Sequence, residues 1–499
     1  MKTKIKGIIT VFLVFMILML LMSMKLVFAS DERVIKLGVS DISDRGQSAV
    51  FFGHYQQTSL GKSEPAYGVE GIDWIKSDTA VENGKGPYYS IDPIKWIVLS
   101  KGEKNIFLFS QKILDSRKYH NDYERVTWEK TTMRSWLNGY KAEENTGSEN
   151  GISYISNNFI SSAFYADEIE LINDARVANS NYETYWGLTG GNDTTDKVFL
   201  LSYPEVNNTN YGFDGDYSVK SPLRQGSGSE YVIGVGYMDN WWLRSPGTKY
   251  YVEAAFVYGN GIVVPGGTSV YHGTLGVRPA IKLNPEDILF TSGTSSGYTL
   301  TFKDENRNFA IVDKSEKELF AGDSLSLEYT DAKTGTFEYI SAILVNPANE
   351  VISYTQLLQP EFESGKVTFN VPAGIKPGEY TLRIFNEKYI GEQKTNYSSA
   401  FSDIAVKIVN KFEILSSSET ESGHSAVVSI RVPGTYTLIF ANYENNRLND
   451  VDTVEVTIND PGTFSIPSEK NISLSYGDKI MLWDDMAKLT SLCNAYTLP

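Results

Sequence analysis

Two nearly identical six-residue segments in the C-terminal half constrain the fold of this chain most strongly. Residues 377–382 are Pro-Gly-Glu-Tyr-Thr-Leu, and residues 433–438 are Pro-Gly-Thr-Tyr-Thr-Leu, 56 positions later. A Pro-Gly turn that enters a strand through a tyrosine is typical of a tyrosine corner, in which the phenol hydroxyl binds a backbone group a few residues upstream. The sequence therefore predicts two all-β sandwich modules, each containing one such corner.

Composition suggests where these modules begin. Residues 291–297 are Thr-Ser-Gly-Thr-Ser-Ser-Gly, which is typical of a flexible linker. Beyond this run, segments such as 380–385 alternate apolar and polar residues, as strands with one buried face do. The predicted order is a head domain at 30–287, a linker at 288–297, a first sandwich at 298–410 and a second sandwich at 411–499.

The N-terminal segment has the pattern of an export signal. Three lysines within the first six residues precede an apolar run at 8–22, and Val27-Phe28-Ala29 provides a small-residue cleavage site. The apolar stretch 7–24 is also long enough to cross a bilayer as an uncleaved leader helix. We expect an extracellular or cell-surface protein, with residues 1–29 either removed or retained as a membrane anchor.

Charge and cysteine content exclude some classes of partner and stabilisation. Removing the four lysines of the leader from the 45 basic residues leaves 41 against 61 acidic residues, a net charge of −20. Such an acidic chain repels phosphate backbones, so we expect no nucleic-acid partner. Cys493 is the single cysteine, so no disulfide framework forms within the chain and packing must supply its stability.

Within the head, local patterns predict a few elements. The apolar runs 94–99 and 106–109, joined by a Gly-containing turn, predict a hairpin. Residues 127–138 carry the apolar spacing of a helix, with Thr127 as its N-cap and Asn138-Gly139 as its end. A second helix is expected over 158–172. Asn260-Gly261 between apolar runs predicts another hairpin.

Five motifs of the head occur in a recognisable order. They are Pro93-Ile94-Lys95-Trp96, the segment 127–138, the segment 196–202, Trp241-Trp242-Leu243-Arg244-Ser245-Pro246-Gly247 and Gly276-Val277-Arg278-Pro279-Ala280. Together they resemble domain-of-unknown-function family 6273, found in exported bacterial proteins, over about residues 48–284. The resemblance implies an α+β C-type lectin-like fold, like that of formylglycine-generating enzymes. The two following modules resemble immunoglobulin-like and fibronectin-III-like sandwiches.

The tryptophan pair is the principal candidate for a binding site. Adjacent residues of a strand point to opposite faces, so one indole is expected in the core and the other either on the surface or under a loop. In the functional interpretation an exposed indole stacks on a sugar face, and neighbouring polar groups direct the ligand. In the structural interpretation the rings are core, and Arg244 and Arg278 pair with acids or cap carbonyl groups. The candidate ligand-binding residues are Trp241, Trp242, Asp239, Asn240, Arg244 and Tyr258.

A calcium site is the only cofactor that the sequence suggests. Calcium prefers clustered oxygen ligands in loops. The candidate ligands are Asp214, Asp216, Asp193 and Asp196. Short acidic loops also occur as ordinary soluble turns, so both interpretations remain open.

Known catalytic patterns are not present in a suitable context. The head has no cysteine for formylglycine generation, and His54, His120, His272 and His424 lack metal-protease spacing. Gly293-Thr294-Ser295-Ser296-Gly297 matches a nucleophile elbow, but no strand-to-helix context is expected there. We therefore expect a non-catalytic surface protein that presents a lectin-like head to a glycan or protein ligand. The alternatives are a polysaccharide hydrolase with a carboxylate pair and a purely structural surface module.

Overall fold

A computed structural model describes residues 33–61, 73–77, 86–140, 154–179, 190–234, 239–247, 252–273, 275–484, 487 and 490–499. The leader at 1–29 lies outside the described residues. No helix among the residues that the structure describes combines the length and the apolar character needed to cross a membrane. Most of the described chain is β-sheet, arranged in several sheets.

The head contains short helices and many strands. Its described helices are α1 (Thr132–Asn138), α2 (Phe159–Ala163), α3 (Ala166–Leu171), α4 (Tyr203–Val206) and α5 (Glu230–Gly234). Its described strands are β1 (Ile35–Leu37), β2 (Ala49–Gly61), β3 (Trp74–Lys76), β4 (Tyr88–Lys101), β5 (Ile106–Ser110), β6 (Asp115–Ser116), β7 (Ala175–Val177), β8 (Thr194–Asp196), β9 (Phe199–Leu200), β10 (Trp241–Pro246), β11 (Glu253–Val257), β12 (Val263–Ser269), β13 (Gly276–Val277) and β14 (Pro279–Leu283).

Two sheets enclose the core of the head. One contains β2, β4, β5, β14 and β9 in that order, and the other has the order β12-β11-β10-β13-β6. The predicted hairpin of β4 and β5 is confirmed, with Trp96 opposite Ser110 and Val98 opposite Leu108. The hairpin of β11 and β12 is also confirmed, and its Gly261 takes the left-handed conformation (φ 87°) that the tight turn requires.

The helix predictions are correct at their C-terminal ends and wrong in extent. Gly139 has φ 77° and ends α1 as expected, but Thr131 rather than Thr127 is the N-cap, accepting the Arg134 N–H at 3.1 Å. Residues 128–130 form a separate 3-10 turn. The helix expected over 158–172 is two helices, α2 and α3, because the backbone is extended at Phe164 and Tyr165 between them.

The predicted flexible linker is a β-hairpin. Residues 288–294 and 297–303 form β15 (Ile288–Thr294) and β16 (Gly297–Lys303), which pair antiparallel. Phe290 and Thr291 are fully buried, so the Ser/Thr/Gly composition there does not correspond to an exposed tether. The Gly-x-Ser-x-Gly run forms the turn of this hairpin. A strand precedes it, contrary to the expectation of a linker, but a strand and not a helix follows it, so the context of a nucleophile elbow is incomplete.

This hairpin joins the head to the segment that follows. Strand β1 pairs with β15, and β16 pairs in parallel with β2 of the head. On its other side β16 pairs in parallel with β24 (Asn396–Ser398). One sheet of fifteen strands therefore runs from the head into the first sandwich.

The first sandwich has two layers around its own core. Its strands are β17 (Ala310–Ile311), β18 (Lys317–Leu319), β19 (Ser324–Thr330), β20 (Glu338–Val345), β21 (Val351–Leu358), β22 (Gly365–Asn370), β23 (Gly378–Lys388), β24 and β25 (Ser402–Ile408). Strands β17, β19 and β22 form the separate layer, and the others extend the large sheet. Leu327 and Phe369 of one layer and Leu382 and Ile404 of the other belong to one buried cluster.

The second sandwich is built in the same way. Its described strands are β26 (Phe412–Thr420), β27 (Gly423–Ile430), β28 (Gly434–Glu444), β29 (Arg447–Ile458), β30 (Gly462–Pro467), β31 (Lys479–Trp483) and β32 (Tyr496–Thr497). A three-stranded sheet, β26-β27-β30, and a four-stranded sheet, β29-β28-β31-β32, share one apolar core.

Both predicted tyrosine corners have the expected hydrogen bond. The Tyr380 hydroxyl donates to the Lys376 carbonyl at 2.9 Å, and the Tyr436 hydroxyl donates to the Val432 carbonyl at 2.8 Å. Each tyrosine lies near the start of a long strand, β23 or β28. The repeated six-residue segment thus fixes the entry into the equivalent strand of each sandwich.

Candidate functional site

Both tryptophans of the Trp241-Trp242 pair lie in the core. Each has 0% exposure, because β10 is an inner strand of its sheet and both faces of that sheet are covered. The Trp241 indole donates to the Arg224 carbonyl at 3.1 Å, and the Trp242 indole donates to the Arg117 carbonyl at 2.8 Å. Neither ring is available to stack on a ligand, so the structural interpretation of the pair holds.

The two arginines behave as the structural interpretation expects. Arg244 is 1% exposed and forms a two-point ion pair with the carboxylate of Glu205, together with a 2.8 Å bond to the Leu200 carbonyl. Burial alone would raise the pKa of Glu205, but Arg244 and hydrogen bonds from Ser202 bring that pKa below its usual value. Arg278 caps carbonyl groups, including that of Ser110 at 2.8 Å.

The other three candidates of this region lie near the surface without forming a cavity with the tryptophans. Asp239 is exposed, and the Asn240 side chain accepts the Gly259 N–H at 3.2 Å. Tyr258 is 44% exposed, with its ring 5.1 Å from that of Phe256. These contacts brace the turn between β11 and β12.

The four aspartates suggested for calcium already accept hydrogen bonds from protein donors. Asp193 binds Arg176 at 2.8 Å, and buried Asp196 binds Arg134 at 2.7 Å and the Trp128 indole at 3.0 Å. Asp214 and Asp216 accept backbone N–H groups of their own loop. They do not converge on a common point in the described part of the chain.

A different group has its ligand atoms close together. Among the described residues, His120, Asp122 and Glu124 have ligand atoms within 4.8 Å of one another. However, His120 Nδ1 accepts the Thr132 N–H at 3.1 Å, so the neutral ring carries its proton on Nε2, which lies 2.7 Å from Glu124. That donor–acceptor pair satisfies the buried ring without a cation.

The strongest candidate site lies where the head meets the first sandwich. A cavity of 360 Å³, here called the junction pocket, opens between β2 and β4, helix α3 and the segment that joins β23 to β24. Its size falls in the range of small-molecule sites. Its walls combine charged, aromatic and apolar side chains: Gly53, His54, Asp73, Ile91, Pro93, Tyr165, Asp167, Glu168, Lys388, Ile390, Lys394, Thr395 and Tyr397.

A glycine positions the histidine of this pocket. Gly53 has φ 68°, and a Cβ there would lie 2.5 Å from the Phe164 ring, so only glycine fits between β2 and α2. The register of β2 against β4 shifts at this point, between Phe51 and His54. The His54 ring then faces the pocket and lies 4.3 Å from the ring of Tyr165, which is 57% exposed.

The carboxylate of Glu168 is held at the back of the pocket. It accepts the Tyr165 N–H at 2.8 Å, which caps α3, and it lies 3.9 Å from His54 Nδ1. Burial raises the pKa of Glu168. Burial lowers the pKa of His54, with Lys394 acting in the same direction and Asp73 against it. Both groups are therefore biased towards their neutral forms.

Two buried hydroxyl groups in the pocket wall have no hydrogen-bond partner among the described residues. Thr395 Oγ1 lies near Glu168, and the Tyr397 hydroxyl lies near Asp167, in neither case with hydrogen-bonding geometry. Burial, followed by the two nearby carboxylates, raises the pKa of Tyr397, so this phenol stays protonated and able to donate. Other buried polar atoms of the described residues also lack a partner, but these two hydroxyls line the same pocket.

The pocket continues into a second cavity of 470 Å³, which shares Asp167, Lys388 and Tyr397 with it. Arg307 lies in the wall of that cavity and forms a two-point ion pair with Glu338 at 2.6 and 3.0 Å. Together the two cavities form a cleft along the junction, with Tyr397 between them.

Sequence reasoning missed this site because its residues come from five separate segments of the chain. None of His54, Glu168, Thr395 and Tyr397 belongs to a recognisable motif, and each occurs within an otherwise ordinary element. The signal that was present is Gly53, an isolated glycine within an apolar strand pattern, which often marks a bulge or a close backbone approach.

Loss of the buried Arg244–Glu205 ion pair should lower the free energy of unfolding far more than loss of an exposed ion pair. Arg244→Met leaves Glu205 without its cation and should lower the free energy of unfolding by about 3–5 kcal/mol. Arg176→Met removes the pair with Asp193, in which the arginine side chain is 78% exposed, and should cost less than about 1 kcal/mol. Urea denaturation measures both, and equal losses would contradict the described burial.

The environment of His54 predicts a lowered imidazole pKa. Of the four histidine signals in a carbon-detected NMR titration, the one absent from His54→Gln should titrate below 6.5. Lys394→Gln should raise this midpoint because it removes a nearby positive charge, and Asp73→Asn should lower it further. A midpoint at or above 6.5 in the unaltered protein would mean that His54 is not desolvated in the pocket.

Comparisons with known proteins identify one segment of the chain. No curated protein matches the chain. A crystal structure of a DUF4785 family protein from Legionella pneumophila subsp. pneumophila str. Philadelphia 1 is 12% identical, with a TM-score of 0.16, over 47% of this chain and 61% of that one. The match thus spans less than two thirds of that protein, and so low a score supports no conclusion about fold. Residues 103–285 match the family model described as Domain of unknown function (DUF6273), which confirms the predicted resemblance over this segment of the head.

Proposed function

We propose that the protein is an exported surface protein that binds a saccharide in the junction pocket without transforming it. In this proposal the head has a C-type lectin-like fold, and the two sandwiches, immunoglobulin-like and fibronectin-III-like, hold it away from the cell. The observation that carries the proposal is the pair of buried hydroxyls, Thr395 and Tyr397, that share one cavity and lack internal partners.

The chemistry of the pocket favours a polyhydroxylated ligand. Asp167 and Glu168 are acceptors for sugar hydroxyl groups, and Tyr397 is a donor that its high pKa keeps protonated. The exposed ring of Tyr165 at the rim offers a face for the apolar side of a pyranose. The three acidic and two lysine side chains in the wall nearly balance, which favours a neutral or amino sugar over a strongly charged ligand.

A carboxylate-dependent glycoside hydrolase is the second candidate. It is favoured by the raised pKa of Glu168, since a general acid must be protonated near neutral pH. Against it, Glu168 is committed to the Tyr165 N–H at 2.8 Å. Its sequence neighbour Asp167 is exposed, whereas Glu168 is buried. Binding therefore fits the geometry better than hydrolysis.

Removing two different tyrosine hydroxyl groups should have opposite effects on saccharide affinity and on stability. Tyr397→Phe removes a hydroxyl with no internal partner, so stability should hardly change while saccharide affinity falls about tenfold. Tyr55→Phe removes a buried hydroxyl that donates to Asp115 at 2.7 Å, so it should lower stability by about 1–3 kcal/mol and leave affinity unchanged. A glycan array first identifies the sugar, and calorimetric titration and thermal unfolding then measure these effects.

Tyr165, at the rim of the junction pocket, allows an independent test of saccharide binding. Tyr165→Ala should weaken binding about tenfold, as loss of an aromatic contact does. Tyr123→Ala is the matched control, because Tyr123 is 68% exposed and does not line the pocket. Absence of any saccharide ligand, or equal effects of the paired variants, would refute the proposal. Release of shortened sugars during the titration, lost in Glu168→Gln, would instead support the hydrolase.

A further inference from the structure

We propose a second binding site, for an acidic saccharide, in a groove that shares no lining residue with the junction pocket. This groove has a volume of 1210 Å³ and is here called the cationic groove. Its walls are the turn before β2, Lys95 and Ile97 of β4, the two residues that follow β5, the segment 222–227 and the turn between β15 and β16. It does not depend on the function proposed for the junction pocket.

The charge of the groove is opposite to that of the protein. No aspartate or glutamate among the described residues lines it, although acidic residues outnumber basic ones by 61 to 45 in the chain. Arg45, Lys95 and Lys112 line it, and none of the three forms an ion pair with another described residue. Cations left without acids in an acidic protein create a local positive potential, which concentrates anionic ligands.

The backbone at Arg45 lies in a tight turn at the edge of the groove. Arg45 has φ 56°, a conformation that a long side chain rarely adopts, and Gly46 follows with φ 77°. Gly212 packs so closely that a Cβ there would lie 2.1 Å from the Arg45 carbonyl oxygen.

Uncharged polar groups complete the lining. Gln47, Gln111 and Gln225 are exposed and offer amide donors and acceptors beside the cations, and Ser227 and Ser295 add hydroxyls. Amide and hydroxyl groups match the hydroxyls of a sugar, while the cations match its carboxylate or phosphate groups. The combination selects an oligosaccharide that carries acidic groups.

Nucleic acid fits the groove less well. Proteins that hold single strands stack the bases on aromatic side chains. In the described part of this lining, Tyr298 is the one aromatic residue, and its hydroxyl donates to the Asp41 carbonyl at 3.1 Å. The net negative charge of the rest of the protein also opposes a long phosphodiester chain.

The test is a calorimetric titration of the full protein with four probes. Each titration is run at about 20 mM and about 150 mM salt, because salt screens the attraction between exposed charges. The probes are oligogalacturonate, a glycerol-phosphate oligomer, a neutral cello-oligosaccharide and oligothymidylate. We expect oligogalacturonate, the glycerol-phosphate oligomer or both to bind, and to bind more weakly at the higher salt concentration. The neutral cello-oligosaccharide should not bind. Which acidic probe binds identifies the acidic group as carboxylate or phosphate.

Two double variants with the same charge change locate the site. Lys95→Gln with Lys112→Gln should weaken binding of the acidic probe about tenfold at low salt. Lys376→Gln with Lys407→Gln, at exposed lysines of the first sandwich, should leave it unchanged. The proposal is overturned if neither acidic saccharide binds, if both double variants behave alike, or if oligothymidylate binds equally well. Tyr397→Phe should not affect this titration, which separates it from the junction pocket.

Discussion

Strand β16 makes backbone hydrogen bonds in parallel to strands from two parts of the chain that lie far apart in sequence. Tyr298 stands opposite Val50 of the head, and three residues later Thr301 stands opposite Asn396 of the first sandwich. Leu300 and Phe302 of the same strand belong to the core of the head, and Phe290 of its hairpin partner packs 5.5 Å from Phe385. The head and the first sandwich therefore cannot be separated without breaking a sheet and opening two apolar clusters. Both proposed sites depend on this joint, because the junction pocket includes the segment that leads into β24, and the turn of the hairpin forms one wall of the cationic groove.

Local patterns in the sequence predicted the elements whose structure is determined locally. The tyrosine corners at Tyr380 and Tyr436, the β4–β5 hairpin and the left-handed residue Gly139 all depend on contacts within a few residues, or on a short turn. The linker prediction failed for the opposite reason. Residues 291–297 are small and polar, and such a segment is flexible unless distant strands supply hydrogen-bond partners. Here β1 supplies them to residues 291 and 292, from more than 200 positions away. No periodicity within the segment itself reveals those partners.

The candidate site residues likewise divide into those that local sequence could predict and those that depend on tertiary packing. Alternation along β10 predicted that Trp241 and Trp242 face opposite sides, but whether each side is covered depends on the tertiary fold, and both are. The roles of Arg244 and Arg278 were predictable, because a buried guanidinium has to meet acids or carbonyl groups wherever it lies. Glu168 and Tyr397 gave no such signal. Each is ordinary in its own element, and only the packing of α3 against the first sandwich brings their side chains to one cavity.

Hydrogen exchange of the β16 amides tests most directly whether the head and the first sandwich form one continuous sheet. Amides that exchange only by global unfolding are the most protected in a protein, whereas those of a linker exchange as if unfolded. We expect the amides of residues 299–303 to exchange as slowly as those of the buried strands β4 and β5. Exchange of these amides at the rate of an unstructured peptide, with β4 and β5 still protected, would contradict it and would remove the joint on which both proposed sites rest.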